Sequence, residues 1–351
     1  VGSVDILNHS NLSEDQTEYL DIIQSSAESL VELMTETLEH GPIQTELTPD
    51  LVTVEVDLGA LVEEVCRLCA VQAFGKGVEL VCEIGDDVPR LVWAESAKLH
   101  QVIMAVIEDA IAHTDSGVVY CGVRTMTTGL LRTSLEMEVR HSLSGGVDPA
   151  FGDEFVDSLP DSLILSSGED STIRRVVASL GGTIDAATVE MDVSVVRIRF
   201  DWAVGTERVA TRRVDHLEGR KIWVVVEPLL TQEVITRLLT RLGAAVEAIG
   251  VVEFIDTVEQ RLWEGAGVDA LLLDVGLMTT EGISVVERIL DVNAPSRLQI
   301  VHVGSPVQTG TLARNMALYG GSQMVKPISS SRALTALTRE WDNLAIDDDD
   351  L

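Results

Sequence analysis

The chain has 351 residues, and its 57 Asp and Glu residues against 25 Lys and Arg residues give a formal net charge of −32 at pH 7. Nucleic acids and anionic membrane surfaces would repel such a chain, so we expect neither as a partner; the acidic surface fits either a salt-rich setting or an acidic docking surface. The length favours two or three domains, and no apolar run reaches the roughly 18 residues of a membrane-spanning helix. We therefore expect a cytosolic or cytosol-facing chain, attached to a membrane only through an upstream region, if at all.

Residues 1–45 are predicted to form a helical hairpin. Ser13 has the character of an N-cap, and the helix that it begins runs to His40, before Gly41 and Pro42. The apolar positions of this helix are spaced by three and four residues: Leu20, Ile23, Ala27, Leu30 and Met34. Two helices cannot enclose that seam, so the pattern predicts a four-helix homodimer.

Residues 50–202 alternate between strand and helix patterns, which predicts an α/β sandwich with its helices on one face. The predicted helices are Leu58–Phe74, Glu95–Ala112 and one that ends at Leu180. The predicted strands are Val52–Val56, Val78–Ile84, Gly117–Val123, Ser134–Arg140, Thr183–Ala187 and Ser194–Asp201. A charged linker at 203–219 separates this region from the next.

The four cysteines do not form the pattern of a disulfide framework, because they lie in apolar stretches of a long chain: Cys66, Cys69, Cys82 and Cys121. Cys66 and Cys69 have the spacing of half a metal site, but no second half-site follows. We therefore expect neither disulfides nor a cysteine metal centre.

Residues 220–342 read as a βα array, followed by an acidic tail at 343–351. Three chemical groups follow predicted strands: Glu227 after Lys221–Val226, Asp274 after the apolar run at 268–273, and Lys326 after Met324 and Val325. Parallel strands place such groups at one edge of the sheet, where ligands bind. A carboxylate there can attack a phosphoryl group, a lysine can neutralise the transferred charge, and a second carboxylate can hold Mg²⁺.

This C-terminal region resembles the receiver domain of two-component signalling proteins. The resemblance rests on Leu271-Leu272-Leu273-Asp274-Val275, Glu281-Gly282 and Lys326-Pro327-Ile328, in the family's order. It implies a flavodoxin-like fold, phosphorylation of Asp274, Mg²⁺ held by Glu227 and Asp274, and a phosphate contact from Lys326. Met278, Gly304 and Gln323 depart from the family pattern at the proline, hydroxyl and aromatic positions. Ser305 is the candidate for the missing hydroxyl. The alternative is a receiver that only docks, with Asp274 and Lys326 as an ion pair.

The two preceding regions resemble the core of hybrid sensor histidine kinases. The string from Leu12 to Ile23 is similar to the second helix of their dimerisation domain, whose first helix carries a phosphoacceptor histidine. His9 and His40 do not match that position, which would lie before Val1. The order of elements in 50–202 is similar to the ATP-binding domain, with anchors at Lys98-Leu99-His100-Gln101-Val102, Ala110-Ile111-Ala112-His113-Thr114 and Leu180-Gly181-Gly182-Thr183-Ile184.

The resemblance also assigns a nucleotide site, whose residues here are altered. Ala105, Asp109 and Ala112 stand where the family has two asparagines and a lysine, although Asp109 can still offer oxygen to a metal. His141 and Gly145 lie in the segment that replaces the adenine-reading aspartate and its glycine-rich turn. Gly168 is the one glycine left in the phosphate loop, where Glu169 and Asp170 would repel phosphates. We therefore expect a degenerate site without ordinary ATP affinity.

Three functions remain open from the sequence. The first is a pseudokinase scaffold that docks a histidine kinase or phosphotransfer protein and is phosphorylated on Asp274. The second is an active kinase or phosphatase with a non-standard nucleotide site. The third is a dimeric interaction module that works without phosphorylation. Nucleotide binding separates the second from the others, and labelling of Asp274 separates the first from the third.

Overall fold

The chain was analysed as a computed structural model, which divides into two compact units, Val1–Val52 and Thr53–Leu351. The structure describes residues 53–129, 132–142, 170–189, 193–204, 217–251, 253–254, 267–277, 298–330 and 332–338. The predicted hairpin at 1–45, the homodimer through it, most of the linker and the acidic tail lie outside these residues. Helical periodicity also predicts helices at Val252–Trp263 and Gly282–Leu290, and of these only residues 253–254 lie within the described ranges.

The second unit begins with an α/β sandwich. Its main sheet has the order β2-β4-β5-β7-β6, in which β2 and β4 are parallel and the other neighbours antiparallel. A separate antiparallel pair joins β1 to β3. The strands are β1 Val54–Asp57, β2 Val78–Ile84, β3 Leu91–Ala94, β4 Gly117–Thr128, β5 Arg132–Ser142, β6 Gly182–Val189 and β7 Val193–Ala203. The helices are α1 Leu58–Gly75, α2 Ser96–Ala112 and α3 Asp170–Ser179.

Period-two patterning assigns the two faces of this sheet to different partners. On one face, alternate residues such as Leu80, Val119 and Val139 pack with buried residues of α1 and α2 in one apolar core. Asp57 starts α1 by accepting a hydrogen bond from the amide of Ala60 at 3.0 Å. The four cysteines are free and buried. None of the helices within the described ranges is long and apolar enough to cross a membrane.

The second sheet is parallel throughout and has the order β12-β11-β10-β8-β9. Its central strand β10 is buried along its whole length, as expected for a strand covered on both faces. This is the flavodoxin-like order, with the reversal beside the first strand. The elements are β8 Lys221–Val225, α4 Leu229–Arg241, β9 Ala245–Ala248, β10 Ala270–Asp274, β11 Gln299–Gly304, α5 Thr309–Tyr319 and β12 Ser322–Val325.

The predicted fold class, an ATPase-type α/β sandwich followed by a flavodoxin-like domain, is confirmed for the described residues. The elements β3, β11 and α5 were not predicted individually. The strand β3 consists of four residues just after a proline, and only its pairing with β1 makes it a strand. The helix α5 follows a single 3₁₀ turn at Pro306–Gln308 and buries just two side chains, so its sequence has a weak helical pattern.

Gly321, which immediately precedes β12, should not tolerate a side chain. Its φ is +86°, and a Cβ atom there would lie 2.0 Å from the carbonyl oxygen of Ile300. We expect Gly321→Ala to lower the free energy of unfolding by about 2–4 kcal/mol, measured by urea denaturation. Gly310→Ala is the matched control, because nothing lies within 4 Å of a Cβ in that helical position. An equal effect of the two substitutions would contradict the steric argument.

Candidate functional site

Asp274 and Lys326 meet at the carboxyl edge of the parallel sheet, as their positions after two strands predict. The Nζ atom of Lys326 lies 2.7 Å from Oδ2 of Asp274, and it also donates to the carbonyl oxygen of Glu227 at 2.7 Å. The other carboxylate oxygen of Asp274 accepts a hydrogen bond from the amide of Gly276 at 2.8 Å. Both side chains are more than nine-tenths buried, so this ion pair is largely screened from water.

The remaining predicted receiver residues lie at the same edge, but with different contacts. Glu227 is exposed, two residues beyond the point where Val225 pairs with Leu273. The hydroxyl of Ser305 donates to the side chain of Gln308 at 3.0 Å, within a capping box that starts the 3₁₀ turn. Ser305 as a phosphate contact therefore stays a prediction.

The hydroxyl position of the family, held here by Gly304, is filled by apolar atoms. A Cβ atom on Gly304 would lie 2.8 Å from the side chain of Val275 and about as close, 3.1 Å, to that of Leu312. Restoring a serine or threonine at this place would require both neighbours to move. Met278, the departure at the proline position, lies outside the described residues.

A carboxylate from the other domain joins the receiver site. Glu79, in the edge strand β2 of the sandwich, places Oε1 at 2.8 Å from Nζ of Lys326. The same oxygen accepts a hydrogen bond from the hydroxyl of Thr231 at 2.7 Å. Glu79 is mostly buried, with a side chain 14% exposed. Glu79 was not predicted from the sequence, because it lies 247 positions before Lys326 and only the packing of the two domains brings the two residues together.

One cation therefore serves two buried carboxylates. Burial works against the charge of Lys326, but Glu79 and Asp274 outweigh it and raise the pKa of the lysine. Burial raises the pKa of Glu79 above its usual range, and Lys326 and Thr231 only partly oppose that shift, while the charge of Asp274 adds to it. The site is thus short of positive charge and would accommodate one more cation or a proton.

Next to the contact between Lys326 and Glu79, the receiver helix α4 packs on one face of the sandwich sheet. The helices α1 and α2 of the sandwich pack on the opposite face. Leu230 and Val234 form an apolar cluster with residues of β2 and β4, namely Val81, Val118 and Tyr120. Glu83, four residues after Glu79 on the same face, accepts hydrogen bonds from Arg237 at 3.1 and 3.0 Å and from Arg241 at 2.8 Å. Burial alone would raise the pKa of Glu83, but the two arginines lower it.

The residues of the implied nucleotide site lie on and beside α2. Ala105, Asp109 and Ala112 share one side of the helix by their spacing of four and three. Asp109 lies beside His113, whose Nδ1 atom is 3.3 Å from its carboxylate. Lys76 donates to the carbonyl oxygens of Ile111 and Ala112, so its charge is committed to the end of the helix. Ala105 and Ala112 bring no group that could bind phosphate or metal.

His141, at the end of β5, is buried and contacts Thr114. The hydroxyl of Thr114 donates to the carbonyl oxygen of Ala110 at 2.7 Å, so its oxygen accepts from Nδ1 of His141 at 3.2 Å. Burial lowers the pKa of His141, although the charge of Asp109 and a backbone hydrogen bond with Ser142 oppose the shift, and this favours the neutral ring. Gly145 and Gly168, the other predicted nucleotide-site residues, lie outside the described residues.

Comparison with characterised proteins finds histidine kinases. The peroxide stress-activated histidine kinase mak1 of Schizosaccharomyces pombe is 28% identical over 208 residues, 58% of this chain and 12% of that protein. The sensor protein TorS of Escherichia coli K12 is 23% identical over 299 residues, 82% of this chain and 31% of that protein. Hybrid signal transduction histidine kinase A of Dictyostelium discoideum is 25% identical over 185 residues, 52% of this chain and 8% of that protein.

This chain is a relative of the hybrid sensor histidine kinases. No protein-family model matches it. It spans at most 31% of the length of the three relatives named above. The solved structure of full-length ShkA in complex with AMPPNP has a TM-score of 0.62 to this chain, covering 96% of this chain and 68% of that one at 19% identity. At that identity the likeness concerns the fold alone.

Asp274 and Glu227 are the carboxylates at the receiver edge that could bind a magnesium ion, and this site stays a prediction. Asp274 and Glu227 offer hard oxygen donors, and Mg²⁺ commonly takes one or two carboxylates and keeps several waters. No group of three His, Cys, Asp or Glu side chains able to hold a metal occurs within the described ranges. A centre formed by side chains alone is therefore not present there.

Lys326→Met should leave two buried carboxylates without their cation. We expect a loss of about 3–5 kcal/mol in the free energy of unfolding at pH 7. The raised pKa of Glu79 means that the folded state takes up a proton before the unfolded chain does, so this loss should shrink as the pH falls through that pKa. Lys221→Met, at an exposed lysine, is the control and should change stability by less than about 0.5 kcal/mol. A cost independent of pH would contradict this electrostatic account.

Proposed function

We propose that this chain is a regulator in two-component phosphorelay signalling, with a receiver that is phosphorylated on Asp274 and a nucleotide site that has lost ordinary ATP binding. The observation that carries the proposal is the Asp274–Lys326 pair at the carboxyl edge of a flavodoxin-like sheet. Relationship to hybrid sensor histidine kinases supports the signalling role. The partner is a histidine kinase or a phosphotransfer protein, and the hairpin at 1–45 supplies a homodimer.

The reaction proposed for the receiver is the formation of an acyl phosphate on Asp274. A carboxylate oxygen of Asp274 forms a bond to phosphorus while the P–N bond of a phosphohistidine or small phosphoramidate donor breaks, and the electron pair leaves with the nitrogen. Lys326 neutralises oxygens of the transferred group. Asp274 and Glu227 would hold Mg²⁺, which when bound supplies further positive charge to the phosphoryl oxygens. Gly304 brings no hydroxyl, so we expect a slower reaction than a complete site would give.

The pseudokinase part of the proposal rests on the groups around α2. Two of its three positions for binding phosphate and metal hold alanine, and the third, Asp109, lies beside His113. Leaving phosphate charges without partners costs on the order of 1–3 kcal/mol for each lost interaction. Losing several together would move a micromolar affinity beyond millimolar.

Incubation with phosphoramidate and Mg²⁺ should add one phosphoryl group to the protein, lost again on treatment with hydroxylamine. Asp274→Asn should abolish the mass gain in intact-protein mass spectrometry, because an amide is not a nucleophile. Asp269→Asn is the matched control at the opposite end of the same strand, where the carboxylate contacts Arg220. Asp109→Ala should also leave labelling unchanged. Label that persists in Asp274→Asn would contradict the assignment.

One observation favours the second candidate, a kinase or phosphatase with a non-standard nucleotide site. Nδ1 of His141 contacts the hydroxyl of Thr114, and in the tautomer that carries its hydrogen on Nδ1 the neutral ring offers Nε2 as an acceptor. The exocyclic amine of adenine donates hydrogen bonds and needs such an acceptor, so His141 can replace an aspartate in recognising the base. The phosphate side of the site has no comparable replacement at Ala105 or Ala112.

Calorimetric titration with ATP and Mg²⁺, at low and at molar salt, separates these candidates. We expect no saturable heat up to millimolar ATP from the folded wild-type chain, because base reading alone is too weak to hold the nucleotide. His141→Phe serves as the comparison. Micromolar binding by the wild type that is lost in His141→Phe would overturn the pseudokinase proposal and establish histidine as the base-reading residue.

A further inference from the structure

The geometry points to Glu79 as a gate on the phosphorylation site: its carboxylate occupies the place beside Lys326 that a phosphoryl oxygen on Asp274 would take. The inference rests on the proposed function, because it concerns the regulation of the same aspartate. Glu79 belongs to the ATPase-type sandwich and not to the receiver. Docking of the two domains therefore closes the receiver site with a residue that the receiver itself does not contain.

The hydrogen bonds of Lys326 account for its whole donor capacity. An ammonium group has three N–H bonds, and Nζ of Lys326 lies 2.7 Å from Asp274, 2.7 Å from the carbonyl of Glu227 and 2.8 Å from Glu79. A phosphoryl group on Asp274 needs a donor from this lysine. The contacts of Lys326 with Asp274 and with the carbonyl of Glu227 lie within the receiver. The contact with Glu79 is the third, so it is the one that must break when a phosphoryl oxygen binds the lysine.

Charge makes the two occupants incompatible. An acyl phosphate carries up to two negative charges, and Glu79 adds a third within reach of the same lysine. Within the described residues, Lys326 is the cation that forms an ion pair with both Asp274 and Glu79. Repulsion between the carboxylate and an incoming phosphodonor therefore slows labelling while the domains are docked.

The hydroxyl of Thr231 holds the gate closed. Thr231 lies in the first turn of α4 and donates to the same oxygen of Glu79 that contacts Lys326. The receiver thus provides both a cation and a hydrogen-bond donor for one carboxylate of its neighbour. A side chain that merely happened to lie near the lysine would not need the second donor, and the pair gives Glu79 a single position.

The contact of Glu79 with Lys326 is distinct from the other contacts between the two domains. Glu83 lies four residues along the same face of β2 and binds Arg237 and Arg241, with no contact to Lys326. The apolar cluster of Leu230 and Val234 includes Val81, which lies midway between the two glutamates on β2. By linkage, a phosphoryl group that displaces Glu79 weakens docking by the same factor by which docking lowers the equilibrium constant of phosphorylation. Phosphorylation of Asp274 would therefore weaken the docking of β2 on the receiver.

The test compares labelling rates by phosphoramidate in the full chain, for wild type, Glu79→Ala and Glu79→Gln. We expect both variants to acquire the phosphoryl group about tenfold faster or more, since both remove the charge and Gln preserves the shape. Glu83→Ala is the matched control, because it removes a carboxylate from the same strand that does not contact Lys326, and it leaves the contacts of Glu79 and the apolar cluster in place. Its rate should stay within about threefold of the wild type. Hydrogen exchange of the β2 amides should also increase when the wild type is labelled.

The outcomes distinguish the gate from the proposed function beneath it. Equal rates for wild type and both Glu79 variants would overturn the gate and leave phosphorylation of Asp274 standing. A Glu83→Ala rate as fast as that of Glu79→Ala would also overturn it, because the barrier would then be docking as a whole. Absence of label from every variant, Glu79→Ala included, would overturn both the gate and the proposed phosphorylation.

Discussion

The arrangement of this protein depends on one lysine that neutralises carboxylates from two domains. Lys326 links Asp274 at the end of β10 to Glu79 in β2, and both links are shorter than 3 Å in a buried setting. Buried charges are tolerated only when they are paired, so the sandwich can bury Glu79 here because the receiver supplies its cation. The receiver site and the domain interface are consequently one structure, and any chemistry at Asp274 acts on both.

The positions of Asp274 and Lys326 could be predicted because they follow from local patterns. An apolar run that ends in a charged residue marks the end of a buried parallel strand, and parallel strands bring such ends together. The place of Glu79 could not be predicted in this way. Its strand reads as a half-exposed edge, and the face that carries Glu79 and Glu83 is solvent-like until α4 covers it. A signal existed in the matching basic stripe of Arg237 and Arg241, but pairing the two stripes requires knowledge of the docking.

Substitutions that looked like simple losses in the sequence prove to be of different kinds in the fold. Gly304 lacks the hydroxyl of the family, and its space is taken by Val275 and Leu312, so the loss is built into the packing. His141, at the position that the resemblance gives to an aspartate, contacts Thr114, and a neutral imidazole keeps one nitrogen as an acceptor. At Ala105 and Ala112 the loss of a polar group stays a prediction from the resemblance. Side-chain identity alone does not distinguish these cases, because each depends on what neighbouring elements place against the residue.

The scarcity of lysine adds weight to this interface. The chain has a net charge of −32 and four lysines, Lys76, Lys98, Lys221 and Lys326. Two acidic domains repel each other at long range, so their docking needs local cations that outweigh the repulsion. Arg237, Arg241 and Lys326 supply them at two glutamates of one strand. Dissolved salt screens the long-range repulsion between the domains more than it screens these buried contacts. High ionic strength therefore favours the docked form, in which Glu79 contacts Lys326 beside Asp274.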